Sequence, residues 1–195
     1  GDGRVAEWDL KQPSSPSATR SIEPAHLGSP ALLSSLAIAP GGSPVFVAGY
    51  DLSIRRLANL SDTATPTTVD LGTRIFNLAL SPDGTRLAAA CDEGEIAILD
   101  ASTLQPLHRW RAHEGRVTWV SWSVKGDRLA SSSTDYTVVV WDAHKFTPLE
   151  KPYPHPAETR GAAFSGDGQF LYSVSDDGAL RLREILGKRP VAERS

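Results

Sequence analysis

The chain has 195 residues and a formal net charge of −3, and its 20 Lys and Arg are scattered, so no basic face points to nucleic acid. The single cysteine, Cys91, excludes an internal disulfide and a thiolate zinc site. No apolar run nears the roughly 18 residues that a membrane helix needs.

In chain order, the first feature is Val5-Ala6-Glu7-Trp8-Asp9, the end of a strand that follows a turn at Asp2-Gly3. A Pro/Ser loop is expected over Lys11–Ser21. A unit of three strands then begins: Leu32–Ala39, Val45–Gly49 and Ile54–Ala58. The same pattern returns at Arg74–Leu80, Leu87–Cys91 and Ile96–Asp100. It returns again at Arg116–Trp122, Leu129–Ser133 and Val138–Asp142, and finally at Arg160–Phe164, Leu171–Ser175 and Leu180–Glu184. β-branched enrichment and short length favour strands, and no window has a helical period. Looser segments, Leu104–Arg111 and Thr147–Tyr153, suit a fourth, outer strand, which the last unit lacks before a polar tail at 187–195.

The third strands end 42 residues apart throughout these four units, with the opening copy 49 upstream of the first. Turns keep the same register at Ser81-Pro82-Asp83-Gly84, Val124-Lys125-Gly126-Asp127 and Ser165-Gly166-Asp167-Gly168. A fixed period of about 40–45 residues with four strands per unit is the mark of a propeller blade. The expected fold is therefore all-β: a partial blade at 1–25, then blades at about 26–71, 72–112, 113–155 and 156–186.

The stretch His113 to Asp142 carries the fullest motif: His113, Val117, Val120, Trp122-Ser123, Leu129-Ala130-Ser131-Ser132-Ser133, Asp135 and Trp141-Asp142. These residues resemble the WD-repeat (WD40) family. The resemblance implies a hydrogen-bonded network of His113, Ser131 or Ser133, Asp135 and Trp141 inside the blade. It also implies a ring of roughly seven blades, so this array reads as the C-terminal part of a larger propeller. A small ring and two copies joining are the alternatives. Leu57, Leu99 and Arg183 replace Trp141 in the other units, which are expected to rely on apolar packing and to hold their turns less rigidly.

No catalytic, cofactor or metal constellation survives comparison with the repeat. His113 and His155 are 42 apart and so belong to separate blades. Cys91 has no base in register, and Asp92, Glu93, Asp176 and Asp177 suit turn hydrogen bonding. Two residues do not serve the repeat. Phe76 aligns with Ser34, Thr118 and Arg160, and Trp119 with Ser35, Asn77 and Gly161. Pleat alternation would face them oppositely and give them different jobs. The family's partner surfaces imply a candidate surface of Tyr50, Arg74, Phe76, Asp92, Arg116, Trp119, Thr134, Tyr136, Arg160 and Asp176. The expected function is a non-catalytic protein-interaction scaffold or sensing module of a larger protein. Its partner would be a protein or peptide, with further blades or another domain upstream, no cofactor, no nucleic acid, no membrane and a cytoplasmic location. The alternative is an enzyme or small-ligand domain using the central channel.

Overall fold

The computed structural model describes residues 4–7, 16, 18–22, 32–61, 64–185 and, as backbone, 190–194. A two-stranded sheet comes first, β1 (Arg4–Glu7) against β2 (Ala18–Ser21). Blade 1 holds β3 (Leu33–Ile38), β4 (Val45–Gly49), β5 (Ser53–Leu57) and β6 (Thr67–Asp70). Blade 2 holds β7 (Ile75–Leu80), β8 (Arg86–Cys91), β9 (Glu95–Asp100) and β10 (Pro106–Arg111). Blade 3 holds β11 (Val117–Trp122), β12 (Arg128–Ser133), β13 (Thr137–Asp142) and β14 (Tyr153–Pro154). Blade 4 holds β15 (Thr159–Phe164), β16 (Phe170–Ser175), β17 (Leu180–Glu184) and β18 (Pro190–Arg194). Every sheet is antiparallel with neighbours in chain order, so hairpins make all connections within a blade.

The repeated turns set those hairpins. In the first strand-to-strand turn of blade 2, Asp83 accepts from the Ser81 hydroxyl at 2.5 Å and from the Thr85 N–H at 3.0 Å, while Gly84 takes φ 72°. The Ser81 and Thr85 bonds hold the Asp83 carboxyl down to about 2. Asp167 repeats the device in blade 4, accepting from the Ser165 hydroxyl at 2.6 Å and the Gln169 N–H at 2.9 Å, whereas in blade 3 the Ser123 hydroxyl reaches Asp127, four residues on, at 2.7 Å. A short polar side chain that bonds the next backbone amides favours a turn over strand continuation.

The core lies in slices between blades. Phe46, Ala48 and Ile54 of blade 1 meet Ile75, Leu78 and Leu87 of blade 2. On the other side of blade 2, Ala88, Ala90, Ile96 and Ile98 meet Val117, Val120, Leu129 and Trp141 of blade 3. Blade 3 gives Ala130, Val138 and Val140 to Ala162 and Leu171 of blade 4. A strand covered on both faces has no polar side, which is why β8 reads as an unbroken apolar run, Leu87 to Cys91. Burying one Leu or Ile side chain stabilises by about 1.5–3 kcal/mol.

The innermost strands β3, β7, β11 and β15 adjoin one another in that order. Each carries a register shift at the same place, between Leu33 and Ser35, Ile75 and Asn77, Val117 and Trp119, and Thr159 and Gly161. Ser34, Phe76, Thr118 and Arg160 are therefore the extra residues of four equivalent β-bulges.

Three expectations change. The last unit does not lack an outer strand, because Pro190–Arg194 of the polar tail pairs with β17 as the outer strand of blade 4. A short, polar outer strand has too little apolar alternation to show in sequence. Within the Pro/Ser loop, Ala18–Ser21 forms a strand, paired with β1. The outer strand of blade 3 shrinks to Tyr153–Pro154, with an isolated bridge from Pro148 to Trp141, since Pro148 and Pro152 have no N–H to donate. The Asp2-Gly3 turn, Trp8-Asp9, the Pro/Ser run through Ser15, and tail residues 187–189 and 195 lie outside the described residues.

Candidate interaction surface

Blade 3 contains the network that its motif implies. The Trp141 indole N–H donates to Ser131 Oγ at 2.8 Å, and Ser131 Oγ lies 2.7 Å from His113 Nε2. The hydroxyl, having accepted from the indole, gives its own proton to Nε2, which leaves the Nδ1–H to point at Asp135 Oδ2, 2.9 Å away. Asp135 also accepts from the Thr137 N–H at 3.0 Å, the Thr137 hydroxyl at 2.7 Å and the Glu114 N–H at 3.1 Å. Burial pushes the Asp135 carboxyl up, but the His113 and Thr137 bonds outweigh it and hold it well below the usual carboxylate range. Between the two serines, Ser131 is the network member, while Ser133 Oγ accepts from the Asp135 N–H at 3.0 Å. Thr137 is a member that the motif did not signal.

The other blades do not simply fall back on apolar packing. In blade 1 the buried Arg55 guanidinium pairs with buried Asp51, and in blade 4 Arg181 pairs with Asp177 at 2.6 Å. Asp51, Asp135 and Asp177 share one register place, so an Arg four residues on replaces the His contact at two turns. Those turns are tied by charge, a correction to the expectation that they are loosely held. His155, the counterpart of His113, bonds Ser173 Oγ at 2.8 Å and the Tyr153 carbonyl at 3.1 Å. Burial lowers its pKa. Leu99 of blade 2 is packed in the apolar core, as expected. Cys91 is buried in that core as well, and burial pushes its thiol up to about 12.

At the network end of each blade, residues 50, 92, 134 and 176 donate their N–H groups to the carbonyls of residues 32, 74, 116 and 158 at 2.9–3.0 Å. This common geometry brings several predicted surface residues together. The Tyr50 and Phe76 rings are 5.4 Å apart, and the Arg116 guanidinium lies 4.6 Å from the Phe76 ring centre. Asp92 Oδ1 stands 3.5 Å from Arg116 Nε. Arg160 pairs with Asp176 at 2.8 Å and with Glu158 at 2.9 Å, forming a second, separate charged group. Arg74, Thr134 and Tyr136 lie at the same end, but no side-chain hydrogen bond or ion pair among the described residues joins them to either group.

Phe76 and Trp119 occupy places where sibling blades cross-link. Ser34 donates its hydroxyl to the Ile75 carbonyl at 2.5 Å, and Thr118 to the Thr159 carbonyl at 2.7 Å. Phe76 has no donor to offer in the same place. Ser35 accepts from the Leu78 N–H at 2.9 Å and Asn77 from the Val120 N–H at 3.0 Å, whereas Trp119 has no acceptor. Trp119 remains 42% exposed. The bulge also overturns the pleat-based separation of these two residues, because one extra residue resets which way its neighbours face. Both line one hollow of about 470 Å³, with Leu33, Leu36, Asn77 and Val5.

The fold and network together define a row of propeller blades with an aromatic, charge-edged rim. Two family models match: the anaphase-promoting complex subunit 4 WD40 domain over residues 48–125, and the WD domain, G-beta repeat, over residues 147–183. The chain belongs to the WD-repeat family. A comparison with the curated proteins gives no match. WD40 domains generally act as protein–protein interaction scaffolds.

Proposed function

We propose that this chain is a non-catalytic interaction module whose partner, a protein or peptide, contacts the rim around Phe76 and Trp119. The observation that carries the reading is the substitution of aromatic rings for groups that cross-link sibling blades. An aromatic that removes a scaffold hydrogen bond and stays accessible gives up stability at a point suited to a contact anchor. Arg116 over Phe76, flanked by Tyr50 and Asp92, adds a cation, a phenol and a carboxylate within reach of the same partner. This mix of aromatic and Arg groups is the composition typical of energetic centres in protein interfaces.

The test replaces each aromatic by its sibling residue: Phe76→Ser and Trp119→Asn. Proximity labelling around the wild-type and variant proteins, with melting temperature measured in parallel, reads the outcome. The expected result is loss of a specific set of neighbours with the fold unchanged or firmer. Unchanged neighbours, or loss only where the protein unfolds, sinks the reading.

A further inference from the structure

The outermost strand of each blade is an edge, with one row of backbone N–H and C=O groups turned away from its sheet. The four edges differ. β6 is four residues long and ends on Asp70, β14 is the pair Tyr153–Pro154, and β18 carries Glu193. β10 runs for six residues, Pro106–Arg111, with His108, Arg109 and Arg111 and no acidic residue. Its bulge residue, Leu107, is 56% exposed.

One bond sets which backbone groups of β10 face outward. The Ala112 N–H donates to the Gly94 carbonyl at 2.8 Å, on the β9 side. Antiparallel alternation then turns the backbone groups of Trp110 and His108 toward β9 and leaves those of Arg109 and Arg111 facing out. Among the described residues, no other backbone group pairs with them. The side chains divide by the pleat as well. Trp110 lies opposite Ile96 and packs on Phe146 and Trp141 of blade 3, with ring centres 5.3 and 5.5 Å away, and His108 stacks on Phe146 at 4.4 Å. Arg109 lies opposite Ala97 on the other face, where its guanidinium donates to the Leu71 carbonyl at 2.9 Å and to Glu95 at 3.0 Å.

We infer that the β10 edge takes up an extended segment of a partner protein, paired antiparallel as a fifth strand, in which acidic residues alternate with apolar ones. The backbone offers an N–H and a C=O from each of Arg109 and Arg111, the groups through which strand addition gains its affinity. Residues paired with these two project to the face that carries the guanidinium groups, so acidic side chains match there. The residue between them projects beside Trp110, His108 and Phe146, so an apolar side chain matches there. Arg111 and Glu114 are 62% and 87% exposed, and so open an ion pair is weak enough for an incoming carboxylate to displace Glu114. A second copy of this chain is the poorer occupant. Two β10 edges set antiparallel would place Arg109 against the other copy's Arg111, and like charges directly opposite repel.

The experiment measures amide hydrogen exchange by NMR in this chain, with and without an excess of acetyl-Val-Asp-Val-Asp-Val-amide. Without peptide, the Arg109 and Arg111 amides should exchange fast and those of His108 and Trp110 slowly. The peptide should slow exchange at Arg109 and Arg111 about tenfold or more. Methylating its two Asp nitrogens, which donate to β10, should abolish the effect, and methylating its central Val nitrogen should not. Lys in place of Asp should abolish it too, and Arg111→Glu should reverse that preference. No slowing, equal slowing by the Lys peptide or by the form methylated at Asp, or a preference that does not reverse overturns the proposal. Slowing that appears without peptide as protein concentration rises assigns the edge to a second copy and also overturns it. None of these outcomes bears on the partner surface around Phe76, which lies on the inner strands, so the two readings fail separately.

Discussion

Ser131 and Trp141 are joined by one hydrogen bond, indole N–H to hydroxyl at 2.8 Å, and the same hydroxyl serves His113. Ser131→Ala therefore leaves two buried nitrogens without a partner. Each orphaned group costs about 1–3 kcal/mol, so the variant is expected to lose roughly 2–4 kcal/mol in urea unfolding. Ser133→Ala removes one hydroxyl acceptor for a single backbone N–H and should cost about 1 kcal/mol. Equal losses for the two variants would show that the shared hydroxyl has no special place.

The buried pair Asp51–Arg55 makes a different forecast. Asp51→Ala leaves a buried guanidinium without its counter-charge, at a cost of about 3–5 kcal/mol. The double variant Asp51→Ala, Arg55→Met removes both charges and should recover most of that loss, because the desolvation cost goes with the pair. A double variant as unstable as the single one would overturn this account. Thermal unfolding of the three proteins decides it.

Gly94 has φ 77°, and a Cβ placed there would lie 1.9 Å from the His113 carbonyl oxygen. The Gly94 carbonyl itself accepts from the Ala112 and His113 N–H groups, at 2.8 and 3.0 Å. Gly94→Ala must push the His113 segment away and adopt an unfavourable backbone. A loss above about 2 kcal/mol is expected, with line broadening of the His113 ring signals in NMR spectra. A variant with native stability and sharp, unmoved signals contradicts it.

Acid should loosen blade 3 through Asp135. Its carboxyl is held below the ordinary range in the folded protein, so the unfolded chain takes up that proton first. The stabilisation is complete above the unfolded value, about 3.9, and disappears as pH falls toward the lower folded value. His155 acts in the same direction at milder pH. Its folded pKa is depressed, so stability drops once pH passes below about 6.5. Asp135→Asn should flatten the acid limb of a stability–pH curve and leave the limb near pH 6 in place. A variant that keeps the full acid limb would assign it to other carboxylates.

Cys91 gives a probe of how the blades part. The thiol is buried between blades 1 and 2, and its pKa of about 12 leaves almost no thiolate at neutral pH. Native protein should resist thiol reagents, with labelling appearing in step with unfolding. Fast labelling under native conditions would mean that this junction opens on its own.

Much of the architecture is legible in the sequence because the repeat compares the chain with itself. The strand sets and the turns follow from residues that recur at one spacing, and the His113–Asp135–Trp141 network from the resemblance of one unit to the WD-repeat family. Three features stayed hidden for physical reasons. The Arg55 and Arg181 ties use a residue type that reads as a solvated surface charge until burial is known. The outer strand at Pro190–Arg194 is set by pairing with β17, and its own residues carry little alternation. The bulges add a residue to one strand alone, which a fixed 42-residue count cannot separate from ordinary strand. Phe76 and Trp119 were visible as exceptions, but their shared hollow depends on that added residue.

The four bulges have one more effect. An insertion at the same place in every inner strand gives each blade one side chain that is exempt from cross-strand pairing. On a common backbone frame, those four places hold a hydroxyl, a ring, a hydroxyl and a guanidinium: Ser34, Phe76, Thr118 and Arg160. Such a position works as a socket. Its contents can be exchanged blade by blade while the ladder on either side keeps its register, so the side chains of the rim can differ without the strand pairing being renegotiated.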